Sequence, residues 1–233
     1  MRPIRALSQW IYVSTAIYAL LILTDLLFAL WSLPKFHRIV TTARQHGLSD
    51  EIGSLLDTLA ALENVGTLLP IISLISFIVC AVLIGIWTNR SHHNARSLDI
   101  EGLTVSPAWA VGSYFVPIAN LFLPYRAMKQ LWLGSLNAAE AKPVSAVLPA
   151  VWWTLWLGGT IVSRISDRMS DYIEKSADTA ASTEQFIALM ESTEYSLVLG
   201  CIANIMLLGC TFCLLKIIRR INRTHEQINA QTA

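Results

Sequence analysis

Five stretches of this chain run for about the length of a membrane crossing without a single Asp, Glu, Lys or Arg: Ala6 to Thr24, Asn64 to Asn89, Gly102 to Tyr125, Pro143 to Ser163 and Tyr195 to Leu215. A helix needs about 20 apolar residues to cross a hydrocarbon core of about 30 Å. Beyond Asp25 the first stretch continues to Pro34. Only 14% of the residues are charged and 54% are hydrophobic, a balance that suits lipid rather than water as the solvent. Unpaired backbone amides are costly in lipid, so these stretches are predicted to be helical, and no alternating pattern suggests a transmembrane barrel. Arg2 and Arg5 ahead of an apolar stretch imitate a secretory signal, but Leu30 to Lys35 offers no cleavage site, which predicts a retained anchor.

Charge distribution orients the crossings. If the first, second, fourth and fifth stretches cross and the third does not, one face holds Arg2, Arg5, Arg90, Arg96, Arg126, Lys129, Lys142, Lys216, Arg219, Arg220 and Arg223. The same face holds only the acids Asp99, Glu101, Glu140 and Glu226. The positive-inside rule then puts both termini in the cytoplasm. The expected fold is an all-α integral membrane protein with four transmembrane helices over about 10–33, 66–88, 144–164 and 195–217. A five-span arrangement is the alternative.

The third stretch is divided by Pro107, Pro117 and Pro124 and contains Asn120. Interior prolines remove amide donors and kink helices, so residues 107–137 are expected to form a proline-broken, re-entrant or interfacial segment. In its return arm Met128, Leu131, Trp132 and Leu136 share one helical face, while Arg126, Lys129 and Gln130 fall elsewhere. Such an arm either lies in the interface or packs on its neighbours. Outside the membrane, Ser49 to Glu63 places Ile52, Leu55, Leu56, Leu59 and Leu62 on one face, as a helix protruding from the second span. Arg164 to Glu194 reads as an acidic loop with a weaker apolar set, Phe186, Ile187, Leu189 and Met190.

The central sequence carries a recognisable pattern. Trp87, Arg90, Asn94 and Ala95 precede Ser106 to Gly112 (SPAWAVG), Phe115 to Leu121 (FVPIANL) and Pro124 to Met128 (PYRAM), and Trp152, Trp153 and Trp156 follow. This arrangement, over about residues 85–165, resembles the bacterial membrane family catalogued as domain of unknown function 4328. Ser113-Tyr114 departs from a commoner aromatic pair and Leu123 from a commoner basic residue. The resemblance implies a multi-pass protein of a bacterial plasma membrane and names no reaction.

Single residues add little chemistry. Asp25 is a carboxylate inside an apolar run, costly unless paired, hydrated or protonated, and so a candidate binding residue. Pro117, Asn120, Pro124, Tyr125 and Arg126 are the other candidates, with Asn120 expected to bond backbone freed by the break and Arg126 to meet an anionic headgroup. Trp10, Trp31, Trp87, Trp109 and Trp132 read as interfacial anchors, and Trp152, Trp153 and Trp156 as core packing. His37, His46, His92, His93 and His225 read as solvated loop residues. Cys80, Cys201, Cys210 and Cys213 lie in apolar runs and read as packing, while Gly159 and Ser163 form a small-xxx-small pair.

No catalytic residue, metal site or cofactor is expected, since no nucleophile, zinc or nucleotide motif is present. The function expected is that of a non-enzymatic accessory, sensing or lipid-interacting component. Its expected partners are membrane lipids, anionic ones at the cytoplasmic face, and a second copy or another membrane protein, with no nucleic acid. A small oligomeric transporter or channel using the broken segment is the alternative, and an intramembrane lipid-modifying enzyme the least supported.

Overall fold

The computed structural model describes residues 4–66, 68–139, 144–177 and 182–232. Arg2, Glu140, Lys142 and Pro143, all used above, lie outside them, as do the side chains of Leu62 and Glu63. The protein is about 90% helical, without strands among the described residues. Among the described residues seven α-helices follow in order: α1 Arg5–His46, α2 Asp50–Gly66, α3 Leu69–Ser97, α4 Pro107–Gly112, α5 Ala119–Ala139, α6 Val147–Ala177 and α7 Thr183–Thr232. A 3-10 turn, Ser113–Phe115, links α4 towards α5.

Among the described residues, α1, α3 and α7 are long and apolar enough to cross a membrane. The expected span at 144–164 falls on α6, whose apolar half contains Trp152, Trp153, Trp156, Gly158 and Gly159 where the other three are mostly aliphatic. The helices run well past the apolar runs. α1 passes through Pro34 to His46, and Lys35 Nζ donates to the Trp31 carbonyl at 3.0 Å just before the kink-prone position. The segment expected as a loop from Arg164 to Glu194 is mostly helical, because α6 continues to Ala177 and α7 begins at Thr183. An apolar run marks where lipid is, not where hydrogen bonding stops.

The chain divides into two compact units. The first comprises Met1–Ala19, Ile75–Leu157 and Gly209–Ala233. Its core joins Ile11, Trp87, Met128, Leu131, Trp153 and Ile217 with their neighbours, so the apolar face of α5 packs inside protein. Of the two readings of that amphipathic arm, packing on neighbours is the one observed. Trp87 and Trp132 are buried as well, which corrects their reading as lipid anchors: Trp87 Nε1 donates to Asn222 Oδ1 at 2.9 Å and Trp132 Nε1 to the Ser145 carbonyl at 3.0 Å. Asn222 Nδ2 in turn donates to Ser8 Oγ at 2.7 Å, linking α3, α7 and α1 through satisfied polar groups. Trp10, Trp31 and Trp109 are exposed.

The second unit comprises Leu20–Leu74 and Gly158–Leu208. Ile52 and Leu59 of α2 are buried with Ile39 and Ala43 of α1, against Phe186, Ile187 and Met190 of α7, so the apolar sets expected on both segments meet each other. Gly158 and Gly159 face α7, where a Cβ on Gly159 would lie 3.2 Å from Leu207. The small-residue pattern therefore serves packing within the chain at that glycine.

One glycine of the first unit sets a close approach. A Cβ on Gly134 would lie 2.9 Å from Ile100 Cγ2 and 3.0 Å from the Glu101 carbonyl, whereas one on Gly53 of α2 meets nothing within 4 Å. Gly134→Val should therefore cost about 2 kcal/mol, and Gly53→Ala should be neutral or stabilising through helix propensity. Thermal unfolding in detergent, with Gly134→Val melting lower and Gly53→Ala not, checks both.

Candidate functional site

The proline-broken segment folds back on itself. Ser106 caps α4 by accepting from the Trp109 amide at 3.2 Å, and Pro107 follows at the first helical position, where its missing donor costs nothing. The chain then turns at residues 116–118 and returns as α5. Ala110 packs with Ala127, while Gln130 Oε1 accepts from the Thr104 and Val105 amides at 3.1 and 3.0 Å. Gln130 Nε2 donates to Thr104 Oγ1 at 2.7 Å. With Ile100 and Glu101 opposite Gly134, these pairs define an antiparallel hairpin.

The break satisfies its own amides. Val116 N donates to the Ser113 carbonyl, Asn120 N to Val116 and Leu121 N to Ile118. Trp153 Nε1 donates to the Leu121 carbonyl at 3.0 Å, and Tyr114 meets the Trp153 and Trp156 rings edge-on. Asn120 was expected to bond freed backbone. Instead its Oδ1 is buried without a partner within the described chain, and an indole does that work. At the tip Phe115, Ile118 and Phe122 are 83%, 77% and 67% exposed.

The six candidates do not converge. Pro117 is exposed in the turn, Pro124 is buried within α5, and Tyr125 lies beneath Lys129 Nζ at 5.9 Å. Arg126 is exposed and donates to Thr104 Oγ1 at 3.3 Å. Asp25 belongs to the second unit, is exposed, and takes no part in the ion pairs among the described residues.

Arg126 borders an open cleft of about 800 Å³ between the 98–102 connection and α5, lined also by Asp99, Glu101, Lys129, Leu133 and Asn137. The connection is held firmly. The Ile100 amide donates to the Ala95 carbonyl and the Asp99 amide to Arg96, the pattern of a Schellman cap, with Asp99 at φ +52° in the position usually given to glycine. Arg96 Nη2 donates to the carbonyls of Leu103 and Val105, both at 3.1 Å.

A second polar assembly lies on α3 and α7 beyond their apolar runs. Thr88, Ser91, His92 and Asn94 are buried on α3, and Thr224 and His225 on α7, so two histidines expected in solvent are core residues. All five histidines lie on helices. His225 Nε2 and Ser135 Oγ of α5 are hydrogen-bonded at 2.8 Å, and the buried His92 ring faces the Ala127 backbone of the same helix, while His225 Nδ1 has no partner among the described residues. Burial pushes His92 down to about 4, helped by the charges of Arg96, His225 and His93, and burial alone takes His225 to about 4. The overlooked signal was the spacing of Trp87, Thr88, Ser91, His92 and Ala95, one helical face. Among the described residues no three His, Cys, Asp or Glu side chains are grouped to hold a metal.

The pattern of the family described as Domain of unknown function (DUF4328) matches residues 53–223. The chain belongs to this family. The match extends well beyond the central stretch and takes in the hairpin, the cleft and all but the last two residues of the buried assembly. No curated protein and no solved structure matches the chain.

Neutral His92 and His225 are protonated more readily in the unfolded chain, so stability present above about pH 6.5 should fall as pH drops towards 4 and level off below it. A flatter melting-temperature profile over that window in His92→Asn/His225→Asn than in the unaltered protein checks this. Asp25→Asn removes an exposed, unpaired charge from an apolar helix, so its melting temperature in detergent should stay level or rise.

Proposed function

We propose that this protein is a non-enzymatic, lipid-interacting component of a bacterial plasma membrane, crossing it four times through α1, α3, α6 and α7, with both termini cytoplasmic. In this reading the α4–α5 hairpin dips into the cytoplasmic leaflet without crossing. The observation that carries it is the reversal at 116–118 with a bare apolar tip and cations directly behind.

Three physical points support the reading. Exposed Phe115, Ile118 and Phe122 would be an aggregation hazard in water and are at home in acyl chains. The amides of Val116, Asn120 and Leu121 are satisfied inside the break, as lipid demands of non-helical backbone. From Pro117 to its first cation, Arg126, the return arm climbs only about 14 Å at 1.5 Å per residue, about half of a hydrocarbon core. Phe122, Arg126, Lys129, Leu133 and Asn137 form one stripe along α5, passing from an apolar tip to basic residues within a turn. That order suits a helix rising from acyl chains into headgroups.

Single cysteines at Ser106 and Asn137, in a background without the native four, should both be shielded from an impermeant thiol reagent in intact cells and both react after permeabilisation. A nitroxide at Ile118 should be relaxed by oxygen and protected from a water-soluble nickel complex. Labelling of Asn137 alone in intact cells would make this segment a crossing, and a nickel-accessible Ile118 would put the tip in water.

A further inference from the structure

The geometry points to the cleft between Leu98–Gly102 and α5 as a binding site for the headgroup of an amine-bearing zwitterionic phospholipid, its phosphate held by Arg126 and Lys129 and its ammonium by Asp99 and Glu101. The inference rests on the lipid-interacting reading above and narrows it to a headgroup chemistry.

The cleft offers about 800 Å³, within the range of small-molecule sites. Its lining carries two cations and two anions that make no ion pair with one another among the described residues. The hairpin register explains why. Arg126 stands at Thr104, which it bonds, whereas Glu101 stands at Gly134, about 12 Å further along α5 at 1.5 Å per residue. Gln130 clamps the connection between them, and Gly134 lets its backbone lie directly on the helix, so the backbone that carries Glu101 is held apart from Arg126 along one cleft. A dipolar ligand answers that arrangement better than a purely anionic one. Arg and Lys supply donors for phosphate oxygens, while Asp99 and Glu101 would repel additional negative charge and accept from an ammonium.

Orientation agrees with the same ligand. The apolar end of the α5 stripe, Phe122, leads to Arg126, then Lys129, then Asn137, and the Glu101 backbone rests on Gly134, beyond both cations. A phospholipid entering along Phe122 would meet the cations with its phosphate first and the carboxylates with its outermost group. Asp99 occupies a left-handed position where glycine would be less strained, and it is one of the residues that line the cleft.

The test uses the full chain in detergent and titrates short-chain phosphatidylethanolamine, phosphatidylglycerol and free phosphoethanolamine, reading lipid retention by native mass spectrometry. Phosphatidylethanolamine should be retained about tenfold over phosphatidylglycerol, and free phosphoethanolamine should compete weakly. Asp99→Asn/Glu101→Gln should erase the preference with retention of phosphatidylglycerol unchanged or higher, and Arg126→Gln/Lys129→Gln should weaken both lipids. Asparagine tolerates the left-handed position, and unchanged melting of each variant separates lost binding from lost fold. Equal retention of both lipids, or a preference for phosphatidylglycerol, overturns the headgroup assignment while leaving the membrane reading to the Ile118 label. Full competition by free phosphoethanolamine overturns the lipid as the source of the ligand.

Discussion

Backbone amides that leave a helix where water is scarce must find acceptors within the chain, and the segment between α3 and α5 meets that demand with side chains and short turns. Gln130 takes the Thr104 and Val105 amides, Arg96 takes the Leu103 and Val105 carbonyls, and Trp153 takes the Leu121 carbonyl. Each bond is worth about 1 kcal/mol net, but leaving the group unpaired would cost more. Remove Gln130 and the descending arm loses its fixed register on α5. The cleft is a by-product of that register, since the same pairing that closes the hairpin near Thr104 leaves it open beside Asp99 and Glu101.

What the sequence disclosed depended on how local each cause is. The prolines predict a break over Pro117 to Pro124; it is confined to 116–118, because α5 starts at Ala119 and runs through Pro124, while the buried face of Met128, Leu131, Trp132 and Leu136 was legible. The six-residue α4 and the apolar tip follow from the same spacing. The partner of the freed backbone was not legible, because Trp153 reaches Leu121 across 32 positions of sequence. Asn120 was the nearest polar group in sequence and lost to an indole that packing delivers.

The histidines show a different blind spot. Charge-free runs locate lipid, and the residues just after the second and fifth of them were read as loop, although α3 continues to Ser97 and α7 to Thr232. His92 and His225 fall in those extensions among arginines, which disguised a buried helical face as a solvated one. Trp87 suffered the same misreading, its indole fixed to Asn222 instead of anchored in lipid. Asp25 stands out in its apolar run as an anomaly without a direction, because the face an isolated charge presents depends on how its helix is rotated.

α5 joins the two polar assemblies of the first unit. One face carries Arg126 and Lys129 to the cleft, and the opposite face presents Ser135 to His225 of α7. Because the His225 ring is buried and neutral, it has no water to replace the Ser135 bond if α5 turns, and breaking that bond would leave another buried ring nitrogen unpaired. Rotation of α5 is therefore opposed from the buried side while the exposed side remains free to engage a ligand. The Ser135–His225 bond on one side and the Gln130 bonds to Thr104 and Val105 on the other therefore fix α5 about its own axis, and with it the positions of Arg126 and Lys129.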